Sequence, residues 1–274
     1  MPEAPDLHAL REYLAPRVTG LEITAVRELR PLVIRNLTGS SLSEDVAGRV
    51  IEGLERKGKL LIMSLSGGMS MVVSPMLTGD LSLADPGKRM LKSTILTINF
   101  GDASQIRYTD AKRMGQIYYL ESTRLGEITR VADQGPDVLD EPLAFPDFTT
   151  ALKRYRGEVK GVLTRGQLVA GIGNAYADEV LWEAGIYPFR KVTRLSDEEV
   201  ARLHEATYQV PTEAVTKLQE IFGAEHPRKE RRFLSVHGKS GAPCPKCATV
   251  ISSVKSRQRD TNFCRRCQPG TMFE

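Results

Sequence analysis

Aromatic residues make up only 6% of this 274-residue chain, which has a single tryptophan, Trp182, and four histidines. The histidines (His8, His204, His226 and His237) are scattered and form no H-E-x-x-H pairing, so a metal-dependent hydrolase finds little support. No stretch approaches the ~18 consecutive apolar residues of a membrane span. The amino terminus has no basic region followed by an apolar block, the mark of a secretory signal. A cytoplasmic protein with no membrane partner is expected. Charge of one sign is not in large excess, the net being +4. Against these absences stand 41% hydrophobic and 26% charged residues, a globular composition with real cores. The length allows two domains at about 100–200 residues each.

Cysteine is scarce as well, and its four occurrences share one segment: CPKC, sixteen residues, then CRRC. Cys244, Cys247, Cys264 and Cys267 thus form two Cys-x2-Cys knuckles, each able to offer two thiolates to one tetrahedral ion. Disulfides fit poorly with a cytosolic chain that has no other cysteine. Iron in a four-thiolate site is the lesser alternative to zinc. Four ligands close the coordination sphere, so the expected zinc is structural, and so short a module needs it to fold. Basic residues crowd the same region. Between His226 and Cys267, eleven Lys or Arg residues face only Glu230 and Asp260, which points to a polyanionic partner or a solvated surface. Arg257 and Arg259 fall at the tip of a hairpin expected between the knuckles.

From about Leu21 to Tyr119 the chain reads mainly as strands. ILTINF (Ile95–Phe100) and QIYYL (Gln116–Leu120) are rich in β-branched or aromatic residues, and LLIMSLSGGMSMVVS reads as two strands joined at Gly67-Gly68. The period then turns helical over Phe148–Tyr155, Asn174–Ala184 and Ser196–Phe222. The last has a capping box, Ser196 with Glu199, and Pro211 is expected to end or kink it. The Pro-, Asp- and Gly-dense stretch between the two regions is expected to be a linker. The fold class expected is α+β and multidomain. A β-rich sandwich or barrel with a leading helix spans 1–133, the linker 134–147, a helical domain 148–228, and a four-cysteine finger 229–274.

Two short stretches remain. In LVAGIGNAYADEVLWEAGIYP, Gly171 and Gly173 precede a helix that Asn174 is expected to cap and Gly185 to close. Tyr176 stands where a dinucleotide fingerprint needs its third glycine, so that reading fails. What remains is a helix-turn-helix corner whose free N–H groups suit an anion such as a nucleic-acid phosphate. At the start, MPEAPDLHAL reads as a helix opening, with Pro2, Glu3 and Asp6 ahead of a Leu7, Leu10, Leu14 and Val18 stripe.

The Met-Pro-Glu start, the Gly-Ile-Gly-Asn turn and the terminal finger, in this order, resemble the formamidopyrimidine-DNA glycosylase and endonuclease VIII family over essentially the whole chain. RKGKLL, RYTDAKRMG and QRDTNFCRRC add to the likeness. The resemblance implies that 1–133 is a β-sandwich catalytic domain and that 148–228 binds DNA through a helix-two-turn-helix. It implies a base-excision-repair DNA glycosylase with AP lyase activity that removes an oxidised base from double-stranded DNA as a monomer. It implies that Met1 is removed and that Pro2 becomes the nucleophile, with Glu3 as acid and Lys59 and Arg259 assisting. Leu77, Lys112 and Met114 fall on the family's wedge positions, with core packing the plain alternative for Leu77 and Met114. Lys112, Arg113 and Asn174, with the run Lys153, Arg154, Arg156 and Lys160, would track phosphates. Several family features differ: Ser74–Gly79 replaces a His-Leu-Gly-Met-Ser-Gly loop, and Met90–Ser93 replaces a His-containing phosphate contact. FGAEHPRKERRF replaces a Gly- and Thr-rich loop that caps an everted purine. The catalytic pair survives while the lesion-reading parts change, so the chemistry is better marked than the substrate. The rival from another class is a noncatalytic zinc-finger DNA-binding protein.

Overall fold

Helix α1 (Ala4–Val18) forms where the spacing of Leu7, Leu10, Leu14 and Val18 predicts it, and all four side chains are buried. Such burial stabilises by about 1.5–3 kcal/mol per side chain. The computed structural model describes residues 1–102, 104–256 and 259–270. The chain divides into two units: Met1–Pro2, Asp6–Ala132 and Phe222–Arg228 in the first, and Glu3–Pro5, Asp133–Ile221 and Lys229–Glu274 in the second. The boundary therefore falls inside the first turn of α1.

After α1 the first unit runs β1 (Ile23–Glu28), β2 (Ile34–Asn36), α2 (Leu42–Val46), β3 (Ile51–Lys57), β4 (Leu60–Leu65) and β5 (Met69–Ser74). It continues with β6 (Gly79–Ala84), β7 (Thr94–Phe100), β8 (Gln105–Asp110), β9 (Gln116–Glu121) and α3 (Thr129–Ala132). The strands form a four-stranded sheet, β1-β7-β8-β6, and a five-stranded sheet, β2-β9-β5-β4-β3. One core joins them with α1: Ile98 and Ile106 come from the first sheet, Met63 and Met71 from the second, and Leu10 and Leu14 from the helix. A smaller cluster, Leu60, Ile62, Val72, Leu120, Ile128 and Val131, covers the outer face of the larger sheet. Strands β4 and β5 are thus buried on both sides, which explains their unbroken apolar runs. Gly67 and Gly68, with φ +76° and +70°, turn the chain between them as the sequence predicts. The segment after the last helix joins this unit, where His226 packs edge-on against Tyr13 at 5.1 Å and Arg17 donates to the Ala224 carbonyl at 3.2 Å.

The second unit holds α4 (Phe145–Leu152), α5 (Val159–Arg165), α6 (Asn174–Ala184), α7 (Asp197–Phe222) and the hairpin β10 (Ser252–Ser256) and β11 (Arg259–Phe263). Its core gathers Phe148, Val162, Leu163, Tyr176, Val180, Leu181, Leu203 and Ala206, with Ala4 from the start of the chain. Ser196 and Glu199 form the expected capping box, the Glu199 N–H reaching Ser196 Oγ at 3.2 Å and the Ser196 N–H reaching Glu199 Oε2 at 2.9 Å. Four expectations need correction. Helix α7 runs through Pro211 without ending. Helix α4 lies three residues earlier than its pattern suggests, because Pro146 suits a first turn. Helix α5 has no counterpart in the sequence pattern. The stretch expected to be a linker is anchored: the Gly135 N–H bonds Gly166 O at 2.9 Å, the Val138 N–H bonds Ala170 O at 3.0 Å, and Val138 is buried.

Candidate active site and nucleic-acid interface

The two residues behind Pro2 sit on the glycine turn. Glu3, only 3% exposed, accepts the backbone N–H groups of Gly173 at 2.7 Å, Ala175 at 2.9 Å and Tyr176 at 3.1 Å. The Ala4 N–H bonds the Gly171 carbonyl at 3.0 Å. A methyl group on Gly173 would lie 2.4 Å from the Glu3 carboxyl carbon, and one on Gly171 would lie 2.6 Å from Ala4 Cβ. The glycines therefore permit a close backbone approach, as their pattern suggests, but the group seated at the helix start is this chain's own Glu3 side chain. The N–H groups of Gly173, Ala175 and Tyr176 are therefore taken by the chain itself and are not the free groups the sequence suggested. The cap of α6 is Gly173, and Asn174 is the first helical residue. The Asn174 side-chain amide donates to the Asp260 carbonyl at 2.9 Å, next to Arg259 at the start of β11. Arg257 lies outside the described residues, as does the side chain of Arg259.

In the first unit one carboxylate gathers two loops. Asp110, at the end of β8, accepts the N–H groups of Gly115 at 2.7 Å and Lys112 at 3.2 Å, and also the Thr78 hydroxyl. The Lys112 N–H also reaches Thr78 Oγ1 at 3.0 Å, joining the turn after β5 to the turn after β8. Gly115 is required here, since a Cβ would strike the Tyr108 hydroxyl at 1.8 Å. Burial, then the nearby Asp110 and Asp80 charges, holds that phenol far above its ordinary range. On this frame Leu77 is 39% exposed and Met114 is 43% exposed, so the core-packing alternative fails for both. Lys112 and Arg113 are exposed beside them, and Arg113 takes φ +53°. Lys59 occupies a two-residue turn between β3 and β4 behind Gly58, which has φ +58°, and is half-buried.

The basic run after α4 divides. Lys153, Arg154 and Arg156 are exposed, but Lys160 is buried, its ammonium 2.7 Å from Asp178 Oδ1 and 2.8 Å from Thr261 Oγ1. Lys160 is therefore withdrawn from the phosphate-tracking set. Asp178, fully buried, also meets His237 Nδ1 at 2.8 Å and the Asn262 N–H at 3.1 Å. Its neighbour Glu179 takes the N–H groups of Ser235, Val236 and His237 at 2.8, 2.9 and 2.7 Å. Burial raises the Glu179 pKa, opposed by these three bonds. Sequence reasoning missed Asp178, Glu179 and Asp110. For Asp110 the available signal was an Asp opening a loop, where its carboxylate can bond N–H groups further on.

The four cysteine sulfurs all lie within 4.8 Å of one another. Cys244–Cys267, Cys247–Cys264 and Cys247–Cys267 stand at 3.8, 3.4 and 3.5 Å. Thiolates at about 2.3 Å from one tetrahedral ion would stand about 3.8 Å apart, so the set fits zinc. Trp182 of α6 packs in the same cluster and directs its indole N–H at Cys244 Sγ, 3.4 Å away, joining finger to helix.

The chain matches the formamidopyrimidine-DNA glycosylase N-terminal domain over residues 1–117 and the H2TH domain of the same enzyme over 134–224. Residues 241–270 match the zinc finger found in FPG and IleRS. The sulfur geometry and this last match assign one structural zinc to the four cysteines. A formamidopyrimidine-DNA glycosylase of Listeria monocytogenes is 31% identical over 273 residues, covering 98% of this chain and 100% of the relative. One from Moorella thermoacetica is 33% identical over 260 residues, covering 93% and 95%. Among solved structures, Lactococcus lactis Fpg in complex with DNA containing an abasic site aligns with a TM-score of 0.89 at 28% identity, covering 98% of this chain and all of that one. MutM in complex with DNA containing carbocyclic 8-oxo-G aligns at 0.88 and 28%, with the same coverage.

Proposed function

Because the chain belongs to the formamidopyrimidine-DNA glycosylase family of base-excision-repair enzymes, we propose that it excises an oxidised base from double-stranded DNA and then cleaves the strand through Pro2. Removal of Met1 leaves Pro2 with a secondary amine; an ordinary α-amino group has a pKa near 8, so a useful fraction is neutral at physiological pH. The Pro2 nitrogen attacks C1′ as the bond from C1′ to the base breaks, the amine's proton leaves with the departing base, and the sugar ring then opens, its oxygen taking up a proton, to a cationic iminium. Glu3 acts as the acid toward the sugar oxygen. The iminium acidifies the C2′ proton, and its loss expels the 3′ phosphate by β-elimination; δ-elimination then expels the 5′ phosphate. Lys59 and Arg259 assist these eliminations.

The target nucleotide must leave the stack before Pro2 can reach it. Leu77, Lys112 and Met114 fill the gap, and Arg113 and Asn174 steady the backbone. The finger's zinc serves folding, and the chain acts as a monomer in the cytoplasm, at the nucleoid. The observation that carries this reading is the Glu3 carboxylate seated on three N–H groups of the 173–176 turn, which fixes the residue next to the nucleophile. Borohydride should trap a covalent adduct on an abasic duplex, Pro2→Gly should weaken it greatly, and a panel of single-lesion oligonucleotides should identify the preferred base. Processed wild-type protein that binds damaged duplex yet yields no adduct would favour the noncatalytic binding protein.

A further inference from the structure

Arg107 is a buried cation that the chemistry above leaves unused. It lies on β8, is 6% exposed, and bonds to carbonyl and amide oxygens rather than to a carboxylate. Its Nε donates to Gln105 Oε1 at 2.6 Å. Its two terminal nitrogens donate to backbone carbonyls of one loop: Nη2 to Asp85 at 3.0 Å, Lys88 at 2.8 Å and Pro86 at 3.4 Å, and Nη1 to Arg89 at 3.2 Å. Gln105 is itself held, its amide donating to Asn99 Oδ1. Burying a guanidinium is costly unless its donors are satisfied, and here the satisfying groups are carbonyls that a loop must turn inward together. Only a planar fork of five N–H groups can span them; a lysine ammonium cannot.

The loop so held, residues 85–92 between β6 and β7, is exposed at every position. It carries Lys88, Arg89 and Lys92 with no acid beyond Asp85, and it sets Met90 and Leu91 in solvent at 42% and 65% exposure. Its far end meets the frame of Leu77 and Lys112: the Thr94 N–H bonds Leu91 O at 3.0 Å, and the Asp110 N–H bonds Ser93 O at 2.9 Å. The three loops of that edge therefore share Asp110. Three cations on a backbone pinned from within form a basic rail beside Leu77 and Lys112. Arg107 supplies the pinning and itself stays out of reach of any ligand.

We infer that Arg107 is a positioning residue for DNA binding: its carbonyl-bound guanidinium holds the 85–92 loop so that Lys88, Arg89 and Lys92 meet backbone phosphates. This rests on the reading of the protein as a DNA glycosylase, but its test is a binding measurement that does not depend on Pro2 chemistry. Duplex affinity is measured by fluorescence anisotropy across a salt series for wild type, R107K, R107Q and the triple variant K88S/R89S/K92S. The triple variant alters only exposed side chains and should fold. Its salt slope should fall by about one unit for each phosphate no longer neutralised, and affinity should drop at least tenfold at moderate salt. R107K keeps the charge and loses the fork, so it should bind like R107Q and closer to the triple variant than to wild type. Single-turnover cleavage should fall with affinity in all three at low enzyme and rise as enzyme is raised, which separates weakened binding from lost chemistry. R107K binding as tightly as wild type would overturn the positioning role. An unchanged salt slope in the triple variant would overturn the rail itself, whether or not the Arg107 variants fold. Failure of borohydride trapping with these binding shifts intact would count against the lyase reading alone.

Discussion

Carboxylates gather backbone N–H groups in both units, and they do so to opposite ends. In the first unit Asp110 holds two loops from below while Leu77, Lys112 and Met114 stay in solvent above it. In the second, Glu3, Asp178 and Glu179 are at most 5% exposed, and what they hold is sealed with them: the chain start, strand β11 and the segment entering the finger. The same bond type shapes an open face in one place and a closed joint in the other. The difference lies in the partners. The N–H groups that serve Asp110 lie two and five residues on, in one turn, whereas Glu3 and Glu179 reach N–H groups 170 and 57 residues away in sequence. Sealed joints should therefore fail in stability, and the open face in binding.

The largest failure should come from the joint that also needs metal. Cys264→Ser removes a fully buried ligand. Apparent zinc binding in such modules is worth about 10–16 kcal/mol, so bound zinc, assayed by chelator release, should fall from one equivalent to near none, and the finger should become sensitive to protease. Next comes Asp178→Asn, which leaves the Lys160 ammonium buried without its counter-charge and should cost about 3–5 kcal/mol by urea denaturation. Pairing Asp178→Leu with Lys160→Met should recover most of that loss; if the double variant is as unstable as the single, the ion pair is not what joins β11 to α6.

Asp110→Asn should cost less, about 1–3 kcal/mol, yet weaken damaged-duplex binding more than Asp178→Asn does at equal folded fraction. Equal stability losses at the two sites would erase the contrast between open face and sealed joint. The smallest effect is one of pH. Burial, then the Arg228 charge, lowers the His226 pKa below its ordinary 6.5. Below that pH the unfolded chain takes up a proton that the folded chain refuses, so stability is complete above 6.5 and declines as pH falls. The slope is at most about 1.4 kcal/mol per pH unit. His226→Gln should flatten the acid side of a stability-against-pH curve, and an unchanged slope would exclude His226 as its cause.

What could be read from the letters alone follows the range of the interactions. Strands β4 and β5, helices α1 and α6, the Ser196–Glu199 cap and the cysteine knuckles all depend on neighbours within a few residues, and each was legible. Helix α5 was not. Gly161 lies inside it and weakens the helical pattern, and its seven residues owe their helix to packing of Val159, Val162 and Leu163. Lys160 looked like one more surface cation because its partner lies on the next helix, eighteen residues on. The glycines at 171 and 173 correctly signalled a close approach, but nothing local names the visitor, which comes from the other end of the chain. Likewise Arg107 alternates with Ile106 and Tyr108 along β8, yet both faces there are buried. Its carbonyl partners belong to a loop some twenty residues earlier.

The seat of Glu3 on the glycine turn sets a tether. One peptide link separates the Pro2 and Glu3 α-carbons, about 3.8 Å, so the Pro2 nitrogen can sweep only a small arc about a fixed pivot. Under the proposed Pro2 chemistry the sugar must be carried to that arc, because the amine cannot go out to meet it. A purification handle fused ahead of residue 2 would occupy the same arc and lock the proposed nucleophile in an amide, so a test of that proposal carries its handle at the opposite end.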